Sequence, residues 1–301
     1  MLGKGVIGEI FNNIISKKIN LLIVNSLLSP RQQKNLEDKL KIKVIDRTGI
    51  ILEIFSKRAK SKEGKLQVEL ADLMYRKSRL VRAWTHLERQ RGGTTFIGGP
   101  GELQIELDRR LIQEKIARIR VNLKKVKSRR NQQRKLRKRT DFKTFALVGY
   151  TNAGKSKLFN CLTKKKQSSK DVMFETLDTK TGRVYLGENK YIGVIDTVGF
   201  INNIPTQLIE SFKATLEELF FADALINVVD ISDVDYRNKE RVTINTLRMA
   251  NVSEEKIKNM ITVYNKVDLS SYNFSSNKKN YISAFTGYGI EKFKESLINF
   301  F

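Results

Sequence analysis

The chain has 301 residues, 40% of them hydrophobic, with 57 Lys and Arg against 32 Asp and Glu. The resulting charge of +25 sets up a field that attracts polyanions, nucleic acid first and an anionic membrane surface second. A single cysteine excludes an internal disulfide, and a single histidine excludes a histidine-built metal site or triad. No apolar run reaches the roughly 18 residues of a membrane span, and Met1-Leu2-Gly3-Lys4 lacks the apolar core of a secretion signal. These features together point to the cytoplasm.

Residues 1–64 read as a small, partial α/β domain. Leu21-Leu22-Ile23-Val24 is the first expected strand, and Ser29-Pro30 opens a helix with a cap and a first-turn proline. Ile42 to Ile45 is a second strand, and a second helix begins between Ile50 and Phe55. Two parallel strands are few for a stable sheet. The expectation is that this domain borrows strands or lacks an N-terminal piece.

Residues 65–141 read as a basic helical hairpin. Leu66, Leu70, Leu73, Leu80, Trp84 and Leu87 follow alternating four- and three-residue steps, broken only at Lys77. Ile105, Ile112, Ile116, Ile119, Leu123 and Val126 mark the second arm in the same way. The connection from Arg91 to Gly101 is too glycine-rich for helix and reads as a flexible tip. From Arg109 to Arg139 there are 15 Lys or Arg and one acid, Glu114, a net +14. That density suits a phosphate backbone; a solvated helix face is the alternative.

Residues 142–301 alternate strands with helices, which argues a parallel sheet with right-handed crossovers. Strands are expected near 145–148, 183–186, 191–195, 225–229, 261–264 and 280–282. The segment Lys164 to Lys170 reads as a polar loop, and Cys161 falls on the apolar face of a helix.

The chemistry lies in this last part. Gly149-Tyr150-Thr151-Asn152-Ala153-Gly154-Lys155-Ser156 follows an apolar strand and opens a helix. This is the phosphate-loop pattern in its required context. Backbone N–H groups and the helix N-terminus would cradle phosphates, Lys155 would reach the outer ones, and Ser156 would ligate Mg²⁺. Asp196-Thr197-Val198-Gly199 follows a strand some 40 residues later. Asp196 there can hold the Mg²⁺ shell, and the Gly199 N–H can meet the γ-phosphate. Between them, Phe174-Glu175-Thr176-Leu177-Asp178 offers the Thr176 hydroxyl as a second Mg²⁺ ligand. Asn265-Lys266-Val267-Asp268 follows another strand, and its carboxylate can accept two hydrogen bonds from the guanine edge. Ser283-Ala284-Phe285 can place a backbone N–H near the guanine oxygen. The order is that of a guanine-nucleotide switch, with GTP, GDP and Mg²⁺ as ligands. Lys155, Thr176 and Gly199 are the groups expected to act on the reacting phosphate. Phe200 stands where a glutamine could orient water, so intrinsic hydrolysis should be slow.

The chain resembles the HflX family of translational GTPases. The resemblance is carried by Leu28-Ser29-Pro30-Arg31-Gln32-Gln33, Val44-Ile45-Asp46-Arg47-Thr48, Gly64 to Leu70, Trp84-Thr85-His86-Leu87, Gly99-Pro100-Gly101-Glu102, the loop Gly149–Ser156, and Asp196 to Phe200. It implies an N-terminal α/β domain, a long antiparallel helical hairpin, and a Ras-like P-loop GTPase domain with a mostly parallel sheet flanked by helices. It also implies binding to the large ribosomal subunit and its RNA, and rescue of stalled ribosomes by splitting them, by a monomer whose hydrolysis the ribosome stimulates. Family members reach Gly3-Lys4-Gly5 only after an upstream stretch, and Lys157 stands where the family has Thr. At the tip, the family has Arg before the second glycine and Thr after the Glu, where this chain reads Gly98-Gly99-Pro100-Gly101-Glu102-Leu103. Two other readings stand beside this one: an ATP-dependent RNA-remodelling enzyme, and a truncated, non-catalytic RNA-binding protein.

Overall fold

The computed structural model of the chain describes residues 3–84, 100–138, 142–164, 176–177, 179–187, 190–202, 208, 213–270 and 280–298. The glycine-rich tip up to residue 99, His86, the loop 165–170, and Phe174, Glu175 and Asp178 lie outside the described residues. The chain divides into two compact units, Met1–Lys57 with Val68–Asn122, and Arg58–Gln67 with Leu123–Phe301.

The first unit begins with α1 (Lys4–Ser16), β1 (Leu21–Val24), α2 (Pro30–Leu40), β2 (Lys43–Asp46) and α3 (Arg47–Arg58). Ser29 starts α2 through a reciprocal capping box: its Oγ accepts from the Gln32 N–H, and Gln32 Oε1 accepts from the Ser29 N–H. Pro30 supplies a preset φ, and Lys41 ends the helix in the left-handed region. β1 and β2 pair in parallel from Leu21 with Lys43 to Val24 with Asp46. This sheet has two strands, and no third strand joins it among the described residues. Leu22 and Val24 pack on a cluster of Ile14, Leu36, Leu40 and Val44, while Leu21 and Ile23 alternate outward and stay exposed.

Asp46, at the end of β2, is buried and pins several elements together. It accepts from the Gly49 N–H at 2.8 Å, the Tyr75 hydroxyl at 2.7 Å, Arg79 Nη2 at 2.6 Å and the Leu28 N–H at 3.3 Å. Burial and this carboxylate together push the Tyr75 phenol well above its ordinary pKa. Tyr75 and Arg79 come from α4 (Lys62–Trp84), which also buries Val68, Leu70, Ala71 and Leu73. In α5 (Pro100–Lys138) the expected seam is present where it is described: Ile116 and Ile119 are buried, and Ile112, Leu123 and Val126 are half-buried. The side chains of Trp84 and Ile105 lie outside the described residues.

The second unit is built on six strands: β3 (Thr144–Val148), β4 (Lys180–Gly187), β5 (Lys190–Asp196), β6 (Ala224–Asp230), β7 (Ile261–Asn265) and β8 (Asn280–Tyr281). Their order is β4-β5-β3-β6-β7-β8. Helices α6 (Lys155–Thr163), α7 (Lys213–Phe221), α8 (Tyr236–Met249), α9 (Glu254–Lys258) and α10 (Ile290–Ile298) connect or flank them. The central strands read as unbroken apolar runs because both faces are covered. Phe145 and Leu147 of β3 face one cluster, with Leu158, Phe159, Val228 and Phe293. Ala146 and Val148 face the other, with Ile195, Leu219, Leu225 and Leu247.

One strand departs from the parallel expectation. β4 runs antiparallel to β5, with Gly187 opposite Lys190. A connection that short cannot carry a crossover, so the two strands must form a hairpin. As the edge strand, β4 also alternates: Val184 and Leu186 are buried, whereas Arg183 and Tyr185 are exposed.

Candidate nucleotide site

The parallel strands β3, β5, β6 and β7 all end on one side of the sheet, and the motif loops follow them there. This is where open α/β sheets place ligands. After β3 the loop Gly149–Gly154 turns into α6, with Asn152 and Gly154 at positive φ. A Cβ on Gly154 would lie 2.2 Å from Asn265 Nδ2, so both the backbone and the neighbouring loop require glycine. The stretch after β5 is laced onto this loop. The Thr151 N–H donates to the Phe200 carbonyl at 2.7 Å, and the Phe200 N–H donates to the Gly149 carbonyl at 3.1 Å. Gly199 packs against Thr151, where a Cβ would meet Thr151 Cα at 2.7 Å and Lys155 Nζ at 3.0 Å. Val198 and Thr197 are buried, and the Thr197 hydroxyl donates to the Leu147 carbonyl at 2.6 Å.

Lys155 is buried and turned back on its own loop. Its Nζ donates to the carbonyls of Gly149 at 3.1 Å and Tyr150 at 2.7 Å. Burial pulls its pKa down to about 8, opposed by the charge of Asp196. Beside it the three expected metal-shell groups meet. Ser156 Oγ and Thr176 Oγ1 lie 2.8 Å apart, and the Thr176 hydroxyl donates to Asp196 Oδ2 at 2.7 Å. Burial pushes the Asp196 carboxyl above its ordinary range; hydrogen bonds from Thr176 and Ser156 and the charge of Lys155 oppose that push. Asp196 Oδ1 is buried with no hydrogen-bond partner among the described residues. Two hydroxyls, a carboxylate and one orphaned carboxylate oxygen are a hard-oxygen donor set, which fits Mg²⁺. Leu177 is buried next to Thr176, anchoring the segment.

The Asn265-Lys266-Val267-Asp268 motif closes the other end. Asn265 is buried at the end of β7, with its Nδ2 donating to the Ala153 carbonyl at 2.9 Å and its Oδ1 accepting from the Ala284 N–H at 2.9 Å. Lys266 adopts a left-handed conformation, and its Nζ pairs with Asp230 at 2.7 Å. Val267 opens a 3₁₀ turn to Leu269 that presents Asp268 to solvent. Ser283 is buried and braces the next turn: its Oγ accepts from the N–H groups of Phe285 at 3.3 Å and Thr286 at 3.0 Å. Phe285 itself projects with 76% of its surface exposed.

All the described motif residues therefore gather at one edge of the sheet. Phe200 does not face this edge. It is buried in the cluster with Val148, Ile195 and Leu219. The sequence reading missed the contact of Lys157 with the Phe285 ring, where Nζ lies 5.1 Å from the centroid. The signal available was a lysine one residue beyond the phosphate loop.

Three family models tile the chain: a GTP-binding GTPase N-terminal model over residues 1–56, a GTP-binding GTPase middle region over 58–137, and a 50S ribosome-binding GTPase model over 144–266. GTPase HflX of Escherichia coli is 41% identical over 98% of this chain and 70% of its own length. The chain belongs to the HflX family of GTPases. GTPase HflX of Magnetococcus marinus is 50% identical over 88% of the chain, and that of Caldanaerobacter subterraneus is 42% identical over 98%. The matches cover 61% and 68% of those two relatives. Among solved structures, a GDP complex of SsGBP aligns over 99% of the chain and 85% of its own, with a TM-score of 0.53 and 26% identity. A GTP-binding protein from Sulfolobus solfataricus in complex with GDP gives 0.52 at 24% identity over the same shares, a likeness of fold alone. Among the described residues, no helix is long and apolar enough to cross a membrane.

Proposed function

We propose that this chain binds GTP and GDP with Mg²⁺ at the edge formed by residues 149–156, 176, 196–199, 265–268 and 283–285, and hydrolyses GTP slowly. The observation that carries the reading is the meeting of Ser156, Thr176 and Asp196 within 2.8 Å at the start of α6. Lys155 would leave the loop carbonyls for phosphate oxygens, a charge-assisted exchange. Ser156, Thr176 and Asp196 would hold Mg²⁺, which when bound offsets charge developing on the transferred phosphoryl group. The Gly199 N–H would meet the γ-phosphate, and Asp268 would accept from the guanine edge. Phe200, committed to the core, has no group to orient water, so a partner must complete the hydrolytic site.

The likeness to HflX proteins and to a ribosome-binding GTPase model supports the large ribosomal subunit as that partner, and subunit splitting or rescue as the outcome. Arg109, Arg110, Lys115, Arg118, Arg120, Lys124 and Lys125 are exposed along α5, which suits ribosomal RNA. We further propose a three-part chain, with an α/β part to residue 64, a hairpin over 65–141 and a GTPase part over 142–301, acting as a cytoplasmic monomer with at most weak attachment to membrane surfaces.

GTP turnover by the full chain, with and without large ribosomal subunits, tests this. We expect slow turnover alone and at least a tenfold rise with subunits. Asp268→Asn should weaken GTP binding by about 2–4 kcal/mol, as for a charge-assisted pair that the base covers. Equal turnover with and without subunits removes the ribosomal part, and unchanged GTP affinity in the variant removes the base assignment.

A further inference from the structure

The contact between Lys157 and Phe285 spans the gap that a nucleotide must cross. Phosphates held at residues 149–156 and a base held at Asp268 would belong to opposite ends of the site. Asn265 ties those ends together from below through Ala153 and Ala284. Lys157, in the first turn of α6, reaches over the same seam to the Phe285 ring at 5.1 Å.

Two features argue against an ordinary surface pair. First, the turn carrying Phe285 is rigid: besides the two bonds to Ser283 Oγ, the Ser283 N–H donates to the Tyr288 carbonyl at 3.0 Å and the Gly287 N–H to the Ser283 carbonyl at 2.9 Å. The ring is thus held out, 76% exposed, by a backbone with little freedom. Second, the N–H groups of Ala284 and Phe285 are already used within the protein, on Asn265 Oδ1 and Ser283 Oγ. The N–H groups expected to meet the guanine oxygen are thus engaged within the protein, and the ring face is what this turn presents at residue 285. An exposed aromatic ring beside a planar base has a ready use in stacking.

We propose that Phe285 and Lys157 form a clamp on the nucleotide, the ring stacking on the nucleoside and the ammonium meeting the α-phosphate. The cation–π contact is the clamp's resting form, in which each group satisfies the other in the absence of ligand. This inference rests on guanine-nucleotide binding at the site proposed above. It adds two determinants of affinity. Neither reads the identity of the base, since stacking accepts any base and the α-phosphate is common to all nucleotides.

The test is GDP titration calorimetry on the full chain at low (~0.05 M) and high (~0.5 M) salt, where surface charge is screened. Parent, Phe285→Ala, Phe285→Trp and Lys157→Gln are compared, with thermal melts to confirm folding. Phe285→Ala should weaken GDP about tenfold at both salt concentrations, within the range of base–aromatic stacking. Phe285→Trp should restore affinity to within about twofold of the parent. Lys157→Gln should cost about threefold at low salt, with the difference shrinking at high salt. A folded Phe285→Ala variant within twofold of the parent, or Trp failing to rescue, overturns the stacking role. A Lys157→Gln loss that is absent, or of the same size at both salts, overturns the charge role. A parent that binds no GDP overturns the proposed function, and this inference with it; variants matching a parent that does bind overturn the clamp alone.

Discussion

Asn265 is the residue on which the site's geometry depends most, and its replacement has a cost that follows from the structure. The side chain is 2% exposed and makes two hydrogen bonds of 2.9 Å, donating to the Ala153 carbonyl and accepting from the Ala284 N–H. Each bond joins a different loop to the end of β7. Asn265→Ala leaves both peptide groups unpaired in a buried place, at about 1–3 kcal/mol each, so the sum is about 2–6 kcal/mol. For a domain of this size that corresponds to a fall in melting temperature of roughly 4–24 °C. GDP affinity should fall as well, because the phosphate loop and the base-reading turns lose their common tie.

Asn265→Asp separates the two bonds. One carboxylate oxygen can still accept from Ala284, but the other faces the Ala153 carbonyl at the distance where Asn265 now donates. The ionised form is therefore disfavoured, and the folded-state pKa of the new carboxyl lies above its unfolded value. A raised carboxyl pKa means the folded state binds the proton more tightly, so stability lost at neutral pH returns as the pH falls. The stability gap between parent and Asn265→Asp should narrow from pH 7 toward pH 5. The assay is thermal and urea unfolding of the full chain, with GDP titration alongside. An Asn265→Ala variant that melts within about 2 °C of the parent and binds GDP equally would refute the reasoning.

The basic arm offers a second prediction: replacing Arg129, Arg130, Arg134 and Arg137 with Gln should weaken ribosome binding and flatten its salt dependence, by up to about one unit of log–log slope per lost phosphate contact. GTP affinity in isolation should not change, and a parent-like salt slope on ribosomes would make the arm a solvated face. Ser156→Ala should impair GDP and GTP binding alike, measured by titration with Mg²⁺, whereas Thr176→Ala should spare GDP and harm GTP. An equal loss of both nucleotides in the Thr176 variant would contradict a switch role for that loop.

Much of the second unit was legible because its strands are short apolar runs followed by residues with a single chemical use. Gly154 is an example: the positive φ and the close approach of Asn265 leave no room for a side chain, so the motif's spacing carries its geometry. The edge hairpin β4–β5 was less legible, since a strand of either direction shows the same residues and only the two-residue connection decides the pairing. In the first unit the Asp46 pin was not legible at all. Its partners Leu28, Gly49, Tyr75 and Arg79 are scattered over some fifty positions, and none has a periodicity that marks a shared contact. The use of Lys127 was hidden in the same way. Within a stretch that reads as uniform positive charge, it is paired to the buried Glu217 at 2.6 Å. Composition cannot distinguish a lysine that fastens a helix from one that faces a polyanion.

The arrangement of the site bears on how a switch built on it would respond. Lys155 is satisfied by two loop carbonyls, and Thr176 by Asp196 and Ser156. The bonds of Lys155 and that of Thr176 to Asp196 already have one ionised partner, worth about 1.5–3 kcal/mol net, and nucleotide binding must replace them with contacts in which both partners are charged or a metal is held. On the reading proposed above, GDP would ask only Lys155 and Ser156 to change partners, and Thr176 could remain on the Asp196 carboxylate. On the proposed reading, GTP would ask Thr176 to turn from Asp196 toward Mg²⁺ as well. On that reading the difference between the two nucleotides would fall on one side chain, which is buried beside Ser156 and Asp196. Removing that hydroxyl should therefore release Ser156 at no cost to GDP, while leaving GTP without the contact that distinguishes it.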